Sequence, residues 1–177
     1  CADEVADHTA AAALTLLRKL MPMDASVRMG EWAAVKIAKP MKPFNKTNFG
    51  FFGLGNIGRA VHARLAGFGF QFLAADPGLT EAQAAEMGVR KVTSEVLLRE
   101  ADIISLHAPA TAETTEYFNA ARLKTMQPHA MLVNSARGQL INEADLAAAL
   151  TMGTIASAAL DVFHIEPLPA DNPLRAA

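Results

Sequence analysis

The chain has 177 residues, 51% of them hydrophobic and 19% charged, with a formal net charge of −2. That profile fits one soluble globular domain long enough to bury a core, and without a basic tract it gives no electrostatic reason to expect nucleic acid. The one cysteine, Cys1, excludes an internal disulfide and a Cys-rich zinc site, so no metal is expected, and no apolar run approaches the ~20 residues needed to cross a bilayer.

The opening "ADEVADHTAAAALTLLRKL" places Val5, Thr9, Ala12, Leu16 and Leu20 at helical spacing. Acids in its first turn and Arg18–Lys19 in its last suit the helix dipole. Asp3, Glu4 and Asp7 stand where a signal peptide needs positive charge. The chain begins with Cys rather than Met and stops at "PLRAA" without a capping signal, so it is expected to be a piece of a longer protein. The stretch "MPMDASVRMGEWAAVKIAKPMKPFNK" is broken by Pro22, Gly30, Pro40 and Pro43 and reads as a connecting segment, with Trp32 as a packing anchor.

From residue 47 the pattern alternates. The strands are "TNFGFFG", "FQFLAAD", "RKVT", "DIISLH", "AMLVNSA" and "IASAALDVF". Between them lie the helices "IGRAVHARLAGFG", "LTEAQAAEMG", "SEVLLREA", "NAARLKTM" and "NEADLAAALTMG". Continuously apolar strands alternating with helices indicate an α/β fold: a doubly wound parallel sheet of the Rossmann type in three layers, helices on both faces. There is no internal repeat or low-complexity segment.

The stretch "FFGLGNIGRA" sits between the first of these strands and its helix. Its Gly53, Gly55 and Gly58 follow G-x-G-x-x-G. Gly53 permits the tight turn, Gly55 lets backbone approach a pyrophosphate, and Gly58 lets helix and strand pack closely. The free N–H groups of Asn56 and Ile57 then face the ligand. Asp76 closes the second strand eighteen residues beyond Gly58, where a carboxylate accepts hydrogen bonds from ribose hydroxyls and repels a 2′-phosphate. The next cation is Arg90, so NAD is expected over NADP, with S-adenosylmethionine disfavoured.

Three further signatures follow: "ADIISLHAP", "LVNSARGQLINEADL" and "AALDVFHIEPLP". Arg137 stands just beyond a strand, at the sheet edge where ligands of such folds bind, and its guanidinium can fork onto a carboxylate. Taken with "GLGNIG", these motifs closely resemble the D-isomer-specific 2-hydroxyacid dehydrogenases, a family that includes phosphoglycerate dehydrogenases and glyoxylate/hydroxypyruvate reductases. The resemblance covers nearly the whole chain.

The resemblance implies an NAD-dependent oxidoreductase that reversibly reduces a small 2-oxo acid to the D-2-hydroxy acid, working as a homodimer. The single cysteine and the lack of a membrane-length apolar run favour a cytoplasmic location. By the resemblance, residues 1–46 become an inter-domain helix and connecting segment, 47–166 the dinucleotide-binding core, and 167–177 the start of the return to a substrate domain. It assigns Arg137 to the substrate carboxylate and Glu166 to pairing with a catalytic His, which raises the pKa of that His. Formate dehydrogenases of the superfamily carry Gln at the Glu166 position. Ala108, between His107 and Pro109, lines the adenine side, while Ser135, Ala136 and Arg137 pass along the nicotinamide and Asp161 accepts from its carboxamide. Asn56 departs from the Arg often found there.

The family's general acid belongs to a "P-H-x-x-G"-like segment beyond Ala177. Of the five histidines, His8 and His62 read as surface or packing residues and His129 as a turn residue. His107 shapes the pocket, and His164 is a decoy. Without that segment the 177 residues are expected to bind NAD but not to turn over substrate. The alternative from another class is an NAD(H)-sensing, non-catalytic module of the C-terminal-binding corepressor type.

Overall fold

The computed structural model describes residues 2–177; Cys1 lies outside the described residues. Helix α1 (Ala2–Leu17) carries Asp3 and Glu4 in its first turn. It buries Ala6, Thr9, Ala10 and Ala13, whereas Val5, Ala12 and Leu16 are only half-buried. The expected stripe is therefore displaced, because small side chains let α1 settle closely against the sheet and the helix beside it. Arg18 and Lys19 do not close the helix; Lys19 takes φ 52° and the chain restarts as α2 (Leu20–Arg28).

A second correction follows. The stretch read as a connecting segment contains α2 and a further short helix, α3 (Ala34–Ala38). Pro22 sits in the first turn of α2, where its missing N–H costs nothing, and the breakers Gly30 and Pro40 fall outside both helices. Trp32, expected to anchor packing, is 85% exposed between them.

The alternating region forms β1 (Asn48–Phe52), α4 (Asn56–Leu65), β2 (Gln71–Ala75), α5 (Glu81–Glu86) and β3 (Val89–Lys91). It continues with α6 (Ser94–Glu100), β4 (Ile103–Leu106), α7 (Ala120–Leu123), β5 (Met131–Asn134), α8 (Glu143–Thr151) and β6 (Ser157–Leu160). All six strands pair in parallel, in the order β3-β2-β1-β4-β5-β6. Several elements are shorter than the sequence pattern suggests. Helix α7 keeps four residues of "NAARLKTM", and β6 stops at Leu160 because Asp161–Phe163 leave the sheet.

Side chains alternate across the sheet, which splits the core into two layers. Phe49 and Phe51 of β1 join Phe72 and Ala74 of β2, Ile103, and the inner faces of α1 and α4. Phe52 points the other way, with Leu73, Ile104, Leu132 and side chains of α6, α7 and α8. Full burial of a Phe such as Phe49 or Phe51 stabilises the fold by roughly 2–3 kcal/mol. Helix starts are fixed locally: Thr80 forms a capping box with Gln83, and Thr93, Asn119 and Asn142 each accept a backbone N–H.

The amino ends of the strands hold a buried carboxylate. Asp102, 7% exposed at its side chain, accepts from Lys42 Nζ at 2.7 Å and from the Asn48 N–H at 2.8 Å. Its Oδ1 also lies 2.5 Å from His129 Nε2. His129 thus sits in a turn and also in an ion cluster that joins the starts of β1 and β4. Among the described residues no helix is long and apolar enough to cross a membrane.

Candidate functional site

The strand order reverses between β1 and β4, so the connections after these two strands diverge and leave a crevice over their carboxyl ends. Gly53 ends β1 with φ +85°, and a Cβ there would stand 2.8 Å from the Ala108 nitrogen. The loops after β1 and β4 therefore touch backbone to backbone. A Cβ on Gly55 would meet nothing within 4 Å, leaving that face of the turn open. At Gly58 it would come within 3.1 Å of the Gly53 carbonyl oxygen, so α4 lies close on the turn. Asn56 and Ile57 occupy the first turn of α4, where backbone N–H groups lack helical acceptors.

Asp76 follows β2. Its Oδ2 accepts the Leu54 N–H at 2.6 Å and its Oδ1 accepts the Gly78 N–H at 2.7 Å. One hydrogen bond on each oxygen orients the carboxylate and leaves further acceptor capacity on both. Gly53, Gly55, Asp76, His107, Ala108 and Pro109 all line one cavity of about 760 Å³. Asn56, Ile57 and Gly58 are not among its lining residues.

His107 is half-buried at the floor of the crevice. Its N–H donates to the Phe52 carbonyl at 2.8 Å, its Nε2 lies 2.8 Å from Ser105 Oγ, and its ring packs 5.9 Å from Phe51. Burial pushes its pKa down to about 4, so the imidazole is neutral at pH 7. Tyr117 forms part of the opposite wall, 4.7 Å from Phe52 with the Arg122 guanidinium 3.7 Å over its ring.

Arg137 and Glu166 line a separate cleft of about 290 Å³ together with Ala136 and His164. Arg137 is exposed and donates from Nη1 to the Ala136 carbonyl at 2.6 Å. Glu166 Oε1 accepts the Phe163 N–H at 2.9 Å. The Arg137 turn is tied down by buried Asn134, which donates to the Arg137 carbonyl at 2.9 Å and accepts the Ala136 N–H at 3.1 Å. Glu143 fixes the facing segment, accepting the His164 N–H at 2.7 Å and Asn172 Nδ2 at 2.5 Å. A Cβ on Gly138 would overlap the Phe163 carbonyl, so backbone packs on backbone across this cleft.

Ser135 and Asp161 face a third concavity, between α1 and β5–β6. Ser135 Oγ lies 2.5 Å from Thr9 Oγ1, and Asp161 Oδ1 lies 3.7 Å from His8 Nε2. The candidate residues thus gather at the carboxyl end of the sheet, but in three neighbouring hollows.

The profile of the D-isomer specific 2-hydroxyacid dehydrogenase NAD binding domain matches residues 10–177. The chain belongs to that family. It is 40% identical over 169 residues to a D-3-phosphoglycerate dehydrogenase of Mycobacterium bovis, covering 96% of this chain and 31% of the relative. A glyoxylate reductase of Korarchaeum cryptofilum is 37% identical over 174 residues, covering 97% and 52%. Among solved structures, an NAD-dependent formate dehydrogenase from Staphylococcus aureus in complex with NAD superposes with a TM-score of 0.92. It is 32% identical over 99% of this chain and 53% of that one. This dehydrogenase-family chain therefore spans a third to a half of the curated relatives it matches.

As an NAD-binding domain of the 2-hydroxyacid dehydrogenases, the chain carries a crevice whose donor set fits the dinucleotide. It has unpaired N–H groups at a glycine turn, an oriented carboxylate with acceptor capacity to spare, and apolar walls. Sequence reading missed Lys91, Thr111 and Tyr117 as lining residues of the crevice, and Asn134 and Glu143 as the groups that hold the Arg137 cleft in shape. For Asn134 a signal was present: a polar residue inside an otherwise apolar strand.

Proposed function

We propose that the whole protein reduces a small 2-oxo acid to the D-2-hydroxy acid with NADH, and that residues 2–177 bind the cofactor and part of the substrate. The observation that carries this is the placement of Arg137 and Glu166 in the lining of one cleft at the carboxyl end of the sheet, beside the dinucleotide crevice. NAD supplies the hydride acceptor and, when reduced, the hydride donor. Gly53, Gly55 and the first turn of α4 at Asn56, Ile57 and Gly58 receive its pyrophosphate, and Asp76 receives the adenosine ribose. Ala108 and Pro109, seated on neutral His107, border the adenine side. Ser135, Ala136 and Asp161 border the nicotinamide.

Arg137 binds the substrate carboxylate and polarises the carbonyl beside it. Glu166 holds the general-acid His, supplied by sequence outside these residues, in its protonated form. A carboxylate rather than an amide at Glu166 favours a 2-hydroxy acid over formate as substrate. The matched relatives are named as dehydrogenases and reductases, which favours the enzyme over a corepressor-like module. Leu20, Met21, Val27, Met29, Trp32 and Val35 are all more than half exposed on the α2–α3 segment, an apolar surface suited to a second copy of the chain. Sedimentation of the 18.8 kDa chain as a monomer at all concentrations would remove that assignment.

The test is a calorimetric titration of the chain with NADH, followed by a turnover assay with glyoxylate and hydroxypyruvate. Saturable binding without turnover is expected; robust NADH oxidation by these residues alone would falsify the division of labour. In the whole protein Arg137→Met is expected to lower kcat/KM roughly 10²-fold. An undiminished rate would detach Arg137 from the substrate.

A further inference from the structure

Cofactor choice in a Rossmann crevice is set at the adenosine ribose, where a carboxylate selects the free 2′-hydroxyl and a cation accommodates a 2′-phosphate. Only Arg90 follows Asp76 at all closely in sequence before β3 ends, apart from the residue beside it. In the fold these two basic residues separate. Arg90 points to the exposed face of β3 and pairs with Glu100. Lys91 pairs in register with Ala74 of β2, and the next N–H, that of Val92, donates to the Ala74 carbonyl at 2.9 Å. This brings Lys91 beside the end of β2, and it lines the same cavity as Asp76. Its side chain is half-buried and, among the described residues, has neither an ion-pair nor a hydrogen-bond partner.

We propose that Lys91 is a cofactor-specificity residue that lets the crevice accept a 2′-phosphorylated nicotinamide dinucleotide alongside the unphosphorylated one. The inference rests on reading the crevice as the dinucleotide site. Strand β3 lies on the far side of β2 from β1, whose glycine turn takes the pyrophosphate. The anion that Lys91 meets is therefore at the adenosine end, not the pyrophosphate. Asp76 opposes a 2′-phosphate, but its two oxygens are each engaged by a backbone N–H, from Leu54 and Gly78, which draws the charge toward the loops. A partnerless ammonium in a largely apolar cavity gains a charge-assisted bond when a phosphate arrives, whereas a ribose hydroxyl gives it much less. NAD(H) stays preferred because the carboxylate remains; the margin becomes modest.

The experiment is a set of calorimetric titrations of the chain and of Lys91→Met and Lys91→Arg, with NADH, NADPH, 5′-AMP and adenosine 2′,5′-bisphosphate. The wild-type dissociation constant for NADPH is expected to lie within about tenfold of that for NADH. Lys91→Met is expected to raise the ratio of the two constants by about another tenfold, the scale of one charge-assisted bond, and to do the same for the two adenosine nucleotides. Lys91→Arg keeps the charge and should keep the ratio. Equal effects of Lys91→Met on the phosphorylated and unphosphorylated ligands, or no effect on either, would overturn the proposal while leaving the dinucleotide site standing. Failure of NADH and 5′-AMP to bind the wild-type chain would overturn the site itself and the proposal with it.

Discussion

Acid should weaken this fold through His107 before it titrates most carboxylates. The residue sits at the floor of the crevice, and burial of its ring lowers the pKa from 6.5 to about 4. In the unfolded chain the same imidazole takes its proton near 6.5. Between those values the unfolded state binds more protons, so stability is fully present above about pH 6.5 and falls as the pH drops toward about 4. The gap corresponds to about 3 kcal/mol, a large share of the stability of a domain this size. His62 shifts in the same direction, because burial outweighs its hydrogen bond to the Met87 backbone, so a reference variant is needed. His107→Gln removes the titration while retaining a polar group near Ser105. Urea unfolding followed by far-UV circular dichroism should show the wild type losing about 3 kcal/mol more than the variant across that window. NADH affinity should fall with the same proton, since the backbone of His107 and Ala108 packs directly against Gly53 of the glycine turn. Parallel losses in wild type and variant would refute the reasoning.

Two substitutions test the remaining architecture. Asp102→Ala leaves Lys42, His129 and the Asn48 N–H without their shared acceptor and is expected to cost about 2–4 kcal/mol in urea unfolding. Asp102→Asn, which keeps an acceptor for the Asn48 N–H, should cost less; equal stability for wild type and Asp102→Ala would show the cluster to be inert. Gly138→Ala places a methyl group against the Phe163 carbonyl and should displace the segment leading to Glu166, at about 1–3 kcal/mol by thermal unfolding. Unchanged amide NMR shifts for residues 162–166 in that variant would contradict the close backbone packing.

The six strands and the order of their helices were legible because β1, β2, β4, β5 and β6 are largely apolar runs spaced by helical segments, a pattern expected of a sheet covered on both faces. Strand β3, with Arg90 and Lys91, is short and lies at the sheet edge. The break after α1 was not legible. Leu20, Met21 and Val27 continue the apolar character of the first helix, and nothing local announces that Lys19 adopts a left-handed conformation. Trp32 misled for a related reason: a large aromatic residue is usually buried, and its exposure depends on what α2 and α3 pack against. That the glycine turn and Asp76 come together was legible from spacing, because one strand–turn–helix unit contains the turn and the next strand ends on the acid. The nearness of Lys91 to Asp76 was not, since it is created by the pairing of β2 with β3. Arg137 and Glu166 were singled out through their motifs and line one cleft. Asn134 acts locally on Ala136 and Arg137 within the same motif, whereas Glu143 reaches His164 and Asn172 across the fold and carries no spacing signature.

The placement of buried polar groups explains why the two ends of this sheet behave differently. At the amino ends, Asp102 collects partners from Asn48, Lys42 and His129 and closes the structure on itself. At the carboxyl ends, Ser105 and Asn134 are each fully buried, yet they point their hydrogen bonds outward into loops. Ser105 meets His107 under the dinucleotide crevice, and Asn134 holds both sides of the turn that presents Arg137. Their strands are adjacent, with Leu106 opposite Asn134 and Ser105 opposite Val133, so one rigid pair of strands positions two of the hollows. Loss of either polar side chain would leave a buried partner unsatisfied and free the loop above it. The spacing between the dinucleotide crevice and the Arg137–Glu166 cleft is therefore set by the sheet core, and the loops that carry Arg137 and His107 inherit its precision.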